Sequence, residues 1–226
     1  MIYATLLICL LASLVLTPLV RKTALYFDVT DKPDKRRVNV KPIPSLGGLA
    51  IYISFTVGLF LLPIDKAIVW PIFFSGTVMM LTGFIDDLFE IKARYKLLGQ
   101  IAAAFIIVFW GGLTIEFINL PFGGELHFGM FSIPLTILWI VAITNAVNLI
   151  DGLDGLAAGV STIALLTILG MAFIMSDPVV IMISAILIAA TLGFLPFNFN
   201  PAKIFMGDTG ALFFRILDSC AIRDGL

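Results

Sequence analysis

Long apolar runs recur along the whole chain, separated by short polar stretches. They lie at about Ile2–Leu19, Gly47–Leu62, Ile68–Ile85, Leu97–Gly112, Ser132–Leu149, Leu156–Met175 and Val179–Leu195. A helix of roughly 20 apolar residues crosses the hydrocarbon core of a bilayer. The pattern therefore predicts an all-α polytopic membrane protein with about seven transmembrane helices. An eighth run begins near Ala211 and breaks off, which predicts only a stub. One segment follows a different rhythm. In "TIEFINLPFGGELHFG", Thr114–Gly129, apolar and polar residues partly alternate around Gly123-Gly124, and this predicts a small β-hairpin. The sequence shows no internal repeat and no low-complexity linker.

Composition agrees with the pattern. The 226 residues are 60% hydrophobic and 13% charged, with a mean hydropathy of +1.10. Soluble domains carry about 25% charged residues. The first apolar run has no basic segment ahead of it and is followed by Arg21 and Lys22, so it reads as a retained span rather than a signal peptide. Cys9 and Cys220 give neither a disulfide framework nor metal-ligand spacing.

Net charge is -1 and says little, whereas the placement of charge says more. Arg21, Lys22, Lys32, Lys35, Arg36, Arg37 and Lys41 separate the first two runs. Lys92, Arg94 and Lys96 separate the third and fourth, and Lys203 follows the seventh. The opposite connections carry only Lys66. The excess of Lys and Arg on one side puts those loops in the cytoplasm and the N-terminus and the hairpin outside. His127, the only histidine, then lies on the outer face as an interfacial structural residue.

The acids fall at the ends of the apolar runs, on the basic side. They are Asp86 and Asp87 in "GFIDDLFE", Asp151 and Asp154 in "NLIDGLDG", and Asp208 in "FMGDTG". Acids of an ion pathway would more often lie at bilayer depth. Acids at the boundary, beside lysines, suggest a site for a divalent cation and a phosphorylated substrate, because Mg²⁺ takes one or two carboxylates and completes its shell with water and phosphate. Asp86 and Asp87 could both turn to one ion if the helix end frays there. Asp151 and Asp154 share a face if their segment is helical, with Asn145 and Asn148 on the same face earlier. Each acid taken singly also reads as a helix cap. Asp28, Asp31 and Asp34 read as a solvated loop balancing its own lysines. "KPIPSLGG", Lys41–Gly48, reads as a rigid turned approach to the second span, with Lys41 available to a phosphate. In "FNFNPAKIFMGD", Asn198 and Asn200 offer amides and Phe205 a flat face.

Four of these motifs together, "KPIPSLGG", "FIDDLFEIKARYKLLGQ", "NAVNLIDGLDGLAAG" and "NFNPAKIFMGDTG", resemble the polyprenyl-phosphate N-acetylhexosamine-1-phosphate transferases of glycosyltransferase family 4. The form "PIPSLGG" is similar to the branch that uses UDP-N-acetylglucosamine to start teichoic acid, O-antigen or related surface glycans. The resemblance implies transfer of a sugar 1-phosphate from a UDP-N-acetylhexosamine to undecaprenyl phosphate, with release of UMP. It implies Mg²⁺, with Mn²⁺ as a substitute, a bacterial inner-membrane location, and allows a homodimer. By position it implies Asp86, Asp87 and Asp208 as catalytic acids, and Asp86, Asp87, Asn148 and Asp208 as the metal set. Asn148, Asp151 and Asp154 match the nucleotide loop, Asn198 and Phe205 match positions near the uridine, and Lys41, Arg94 and Lys96 match phosphate contacts.

The sequence also departs from the family. Relatives have about ten spans, and after "GDTGALFF" the family continues apolar, where this sequence has "RILDSCAIRDGL". Residues 1–214 are thus expected to form a membrane-embedded transferase domain and 215–226 an aberrant tail, so that the protein is truncated at its C-terminus. The rival readings are an inactive fragment of such a transferase and a membrane transporter or binding protein, the latter predicting acids in mid-span and an inverted repeat.

Overall fold

The computed structural model describes residues 1–31, 42–119, 123–151 and 153–213. The first helix, α1 (Ile2–Tyr26), runs past the apolar segment because Val20 and Ala24 remain buried while Arg21 and Lys22 emerge on its exposed side. A two-residue strand β1 (Thr30–Asp31) pairs antiparallel with β2 (Ile43–Pro44) and delivers the backbone to α2 (Gly47–Leu61). Helix α3 (Lys66–Phe89) is capped by Asp65, whose Oδ1 accepts the Ala67 amide at 3.0 Å. It ends at Glu90, which adopts a left-handed φ of 45° and turns the backbone into α4 (Ala93–Phe105). A π-helical turn, Ile106–Trp110, extends α4. The predicted hairpin forms as β3 (Phe117–Asn119) against β4 (Glu125–His127), with Ile118 opposite Leu126. Then follow α5 (Ser132–Ile150), α6 (Leu156–Met175), α7 (Pro178–Asn198) and the short α8 (Gly207–Phe213).

Among the described residues, six helices are long and apolar enough to cross a membrane. The second apolar run, predicted as a span, forms the 15-residue α2. At about 1.5 Å per residue it covers roughly 22 Å, short of a hydrocarbon core of about 30 Å. It nevertheless joins the two ends of the bundle, from Gly48 at α8 to Phe60 against Trp70, with Ala50, Ile51, Phe55 and Leu59 fully buried and Val57 and Leu61 exposed.

The core gathers on α7, whose Ile186, Leu187, Ala190 and Phe194 are buried against α1, α2 and α6. Lipid offers no hydrophobic drive between helices, so close packing holds them. Gly193 of α7 lets the α1 backbone approach so closely that a β-carbon there would stand 2.5 Å from the Leu10 carbonyl oxygen. Many hydroxyls inside the bundle donate back to their own helices, as Thr191 does to Leu187 at 2.7 Å, whereas those of Ser13, Thr56 and Ser161 are buried without a partner. A few polar contacts cross between helices. Ser75 of α3 donates to the Ala103 carbonyl of α4 at 2.9 Å, and Asn145 of α5 donates to Gln100 of α4 at 2.9 Å. At the hairpin end Trp70 and Trp110 flank Phe74, the Phe74 and Trp110 rings stacking at 5.4 Å, an arrangement suited to a membrane–water boundary. His127 is exposed there, 3.1 Å from Glu125 and 5.5 Å from the Phe117 ring, at the end of the bundle remote from the acids.

Candidate active site

The acids assemble around α8. Helix α3 does not fray at Asp86: it continues to Phe89, so adjacent acids point in different directions. Asp87 faces α8 and accepts from the Asp208 amide at 3.0 Å, the Thr209 amide at 3.1 Å and the Thr209 hydroxyl at 2.6 Å. A carboxylate at a helix N-terminus satisfies amides that have no partner within the helix. Asp86 faces α4, where the Lys96 ammonium bridges it to Asp208, the second contact at 2.6 Å. The other oxygen of Asp86, Oδ1, is buried with no hydrogen-bond partner.

Backbone contacts lock this arrangement in place. Gly47 and Gly48 donate their amides to the carbonyls of Phe205 and Met206 at 2.9 and 2.7 Å, and the Phe205 amide donates to the Pro44 carbonyl at 2.7 Å. The turned approach to α2 and the approach to α8 therefore form one hydrogen-bonded unit. Gly207, with φ of 71°, sits against the Ser45 carbonyl and Asp87, where a side chain would not fit.

On the other side, α5 ends at Ile150, and Asp151 closes it in a non-helical conformation. Asp151 and Asp154 consequently do not share a helical face. The loop breaks because Gly155 takes a left-handed φ of 69° to start α6. Asp154 instead reaches the α7–α8 loop and accepts the Ala202 amide at 3.0 Å. Asn145, expected on the same face, turns to Gln100.

Between these walls lies a cleft of about 950 Å³. Asp31, Asp86, Asp87, Glu90, Asp151, Asp154 and Asp208 line it, as do Arg21, Lys203, Ser45 and Phe205. Burial pushes the Asp151 carboxyl up to about 7, with the Asp208 charge adding to the shift. Asp208 moves the other way. Burial would raise it, but hydrogen bonds with Asp86 and Lys96, the Lys96 charge and a hydrogen bond with Asn148 hold it below the usual carboxylate range.

Among the described residues, no three carboxylates, histidines or cysteines form a ready-made metal cage. A cation that needs only one or two carboxylates still fits. The unpartnered Asp86 Oδ1 and the neighbouring Asp208 supply hard oxygen donors, and the ammonium of Lys96 already shows that a positive charge is wanted between them.

The sequence profile described as Glycosyl transferase family 4 matches residues 69–220, more than half of the chain. The chain belongs to that family. Its relatives include a Bacillus subtilis (strain 168) protein named "Probable undecaprenyl-phosphate N-acetylglucosaminyl 1-phosphate transferase", 44% identical over 91% of this chain and 58% of that protein. A Mycolicibacterium smegmatis "Decaprenyl-phosphate N-acetylglucosaminephosphotransferase" is 37% identical over 88% of this chain and 53% of its own length. A Chlorobium chlorochromatii "Phospho-N-acetylmuramoyl-pentapeptide-transferase" is 35% identical over 76% of this chain and 55% of its own. This family 4 protein thus spans somewhat more than half the length of the curated relatives it matches.

Of the residues singled out from sequence, Asp86, Asp87, Asp208, Lys96 and Asn148 come together, and Asp151, Asp154 and Phe205 line the same cleft. Asn198 is buried below the α7–α8 loop, where its amide donates to the Ile204 carbonyl at 2.9 Å, and it is not part of the lining. Arg94 is exposed and lies over the Tyr95 ring at 5.3 Å, away from the lining. Lys41 lies outside the described residues. Thr209 joins the site without having stood out in the sequence, although an Asp-Thr-Gly opening a helix is a usable signal. Arg21 and Lys203, which mark orientation in the sequence, also reach the cleft.

Proposed function

We propose that this protein holds the site that transfers N-acetylglucosamine 1-phosphate from UDP-N-acetylglucosamine to a polyprenyl phosphate such as undecaprenyl phosphate, on the cytoplasmic face of the bacterial inner membrane. The observation that carries this reading is the meeting of Asp86, Lys96 and Asp208 at the wall of one large cleft, at the ends of membrane-crossing helices. A lipid phosphate can reach that level from the bilayer and a nucleotide sugar from the water. The names of the Bacillus and Mycolicibacterium relatives support the same donor sugar and acceptor class.

In the proposed reaction an oxygen of the acceptor phosphate attacks the β-phosphorus of the UDP-sugar. The bond from that phosphorus to the bridging oxygen breaks, and UMP leaves with the electron pair. The second pKa of a phosphate monoester is about 6, so the attacking oxygen is already ionised and no base is required. Asp86 and Asp208, with Asn148 beside them, would hold Mg²⁺, which supplies neutralisation of phosphate charge when bound. Lys96 adds fixed positive charge at the same point. Asp87 orients Asp208 by holding the first turn of α8. Both its oxygens are engaged there, which favours direct attack over a phosphorylated Asp87.

The test is release of UMP from UDP-N-acetylglucosamine with undecaprenyl phosphate. It is applied to this protein and to a chimaera that continues residue 213 with the remaining segment of the Bacillus relative. The chimaera is expected to turn over with Mg²⁺ and to lose activity on Asp208→Asn. Turnover unaffected by Asp208→Asn would remove the acid cluster from the reaction.

A further inference from the structure

The wall formed by α1 and the α7–α8 loop carries the opposite charge to the acid cluster. Arg21 and Lys203 both line the cleft. The Arg21 Nε donates to the Lys203 backbone carbonyl at 3.0 Å, so the guanidinium is tied to the loop that bears the second cation. That loop is itself held, through the Lys203 amide on the Phe197 carbonyl at 2.9 Å and the Ala202 amide on Asp154 at 3.0 Å. Among the described residues, neither Arg21 nor Lys203 is within ion-pair distance of a carboxylate, although seven acids line the same cleft. Four of those acids have other work: Asp86 and Asp208 hold Lys96, Asp87 holds α8 and Asp154 holds the loop. Two cations on one wall, neither in ion-pair contact with a carboxylate, leave donors open to an anion arriving there.

We propose that Arg21 and Lys203 together receive a phosphate group of a substrate. With Nε spent on the carbonyl, both terminal nitrogens of Arg21 remain for a bidentate contact, and Lys203 adds a point charge. This deepens the proposed function and rests on it. The phosphate belongs either to the nucleotide or to the polyprenyl acceptor. Arg21 stands five residues before the end of α1, about 7.5 Å back along the helix, which sets it near the level where lipid headgroups lie.

The experiment measures binding of UDP and of farnesyl phosphate to the purified 226-residue protein in lipid nanodiscs, by calorimetry. Wild type is compared with Arg21→Gln, Arg21→Lys, Lys203→Gln and Lys22→Gln, the last altering a neighbouring lysine outside the lining. Losing a hydrogen-bonded charge contact weakens binding by about 10- to 100-fold. Arg21→Gln and Lys203→Gln should each lose that much for one probe and little for the other, which names the source of the phosphate. Arg21→Lys should fall between, because it keeps charge but not the fork, and Lys22→Gln should bind like wild type. Lys203→Gln leaves the backbone clamp intact and so reports on charge even if Arg21→Gln folds poorly. Wild-type affinity for both probes in Arg21→Gln and Lys203→Gln would overturn this inference alone, as would equal weakening by Lys22→Gln. A wild-type protein that binds neither probe at millimolar concentration would overturn the proposed function with it.

Discussion

Gly83→Ala adds one carbon where α3 and α8 touch, one turn before Asp87. That β-carbon would stand 2.5 Å from both the Asp208 carbonyl oxygen and the Thr209 amide nitrogen. These are backbone atoms and cannot swing away, so α8 must retreat by about 0.9 Å to restore an ordinary contact of 3.4 Å. A retreat of that size along the hydrogen bonds takes the two amide contacts of Asp87, now 3.0 and 3.1 Å, to about 4 Å, outside bonding range. The substitution favours helix α3 taken alone by about 1 kcal/mol. Overpacking costs about 1–3 kcal/mol, and a 1 Å displacement of a catalytic group costs roughly 100-fold in rate. The expected result is a chimaera with unchanged helix content by circular dichroism and UMP release reduced about 100-fold. Gly159→Ala, where the added carbon meets nothing within 4 Å, is the control and should be nearly neutral. Activity of Gly83→Ala within twofold of wild type would refute the claim that α8 position, set through Asp87, governs the site.

Thr209→Val removes the hydroxyl donor to Asp87 but keeps both amide donors and the shape of the side chain. It should lower stability by about 1–3 kcal/mol in denaturant titration, and an unchanged midpoint would show that the amides alone hold the acid. Asp151 keeps its proton up to about 7 in the folded protein, against about 3.9 when unfolded. The folded state therefore binds the extra proton between those values, and stability falls as pH rises through them. Asp151→Asn in chelator-containing buffer should flatten that fall in melting temperature, and a mutant with the wild-type pH slope would refute the assignment. Single cysteines at positions 92, 154 and 203, in a background without Cys9 and Cys220, should label from the cytoplasmic side, and those at 124 and 177 from outside. Outer-face labelling at 154 would reverse the orientation.

The helices are legible in the sequence because a bilayer demands long apolar runs, and these are written without ambiguity. The hairpin is legible from alternation around two glycines. The burial of α2 is not, because apolar length cannot tell which side of a helix faces lipid and which faces protein. The topology brings Asp86, Asp208 and Lys96 to one face, but that Lys96 bridges the two acids depends on how α3, α4 and α8 pack, which spacing does not show. The same limit separates Asp86 from Asp87. As neighbours in sequence they read as one motif, yet a helical step of about 100° turns them to different partners. A shared helical face for Asp151 and Asp154 needs the helix to continue past Ile150, and the backbone turn that ends at Gly155 prevents it.

The amides of Gly47 and Gly48, bonded to the carbonyls of Phe205 and Met206, make one side of the cleft a single rigid jaw. The opposing jaw, which bears Asp151, Asp154 and the loop around Ala202 and Lys203, is fastened by single side-chain contacts from Asp154, Arg21 and Asn198 and one backbone bond to Phe197. If the mouth widens to admit a bulky sugar nucleotide, the lightly fastened jaw is the one that swings. The fixed jaw then keeps the reacting acids in register through each cycle of loading and release.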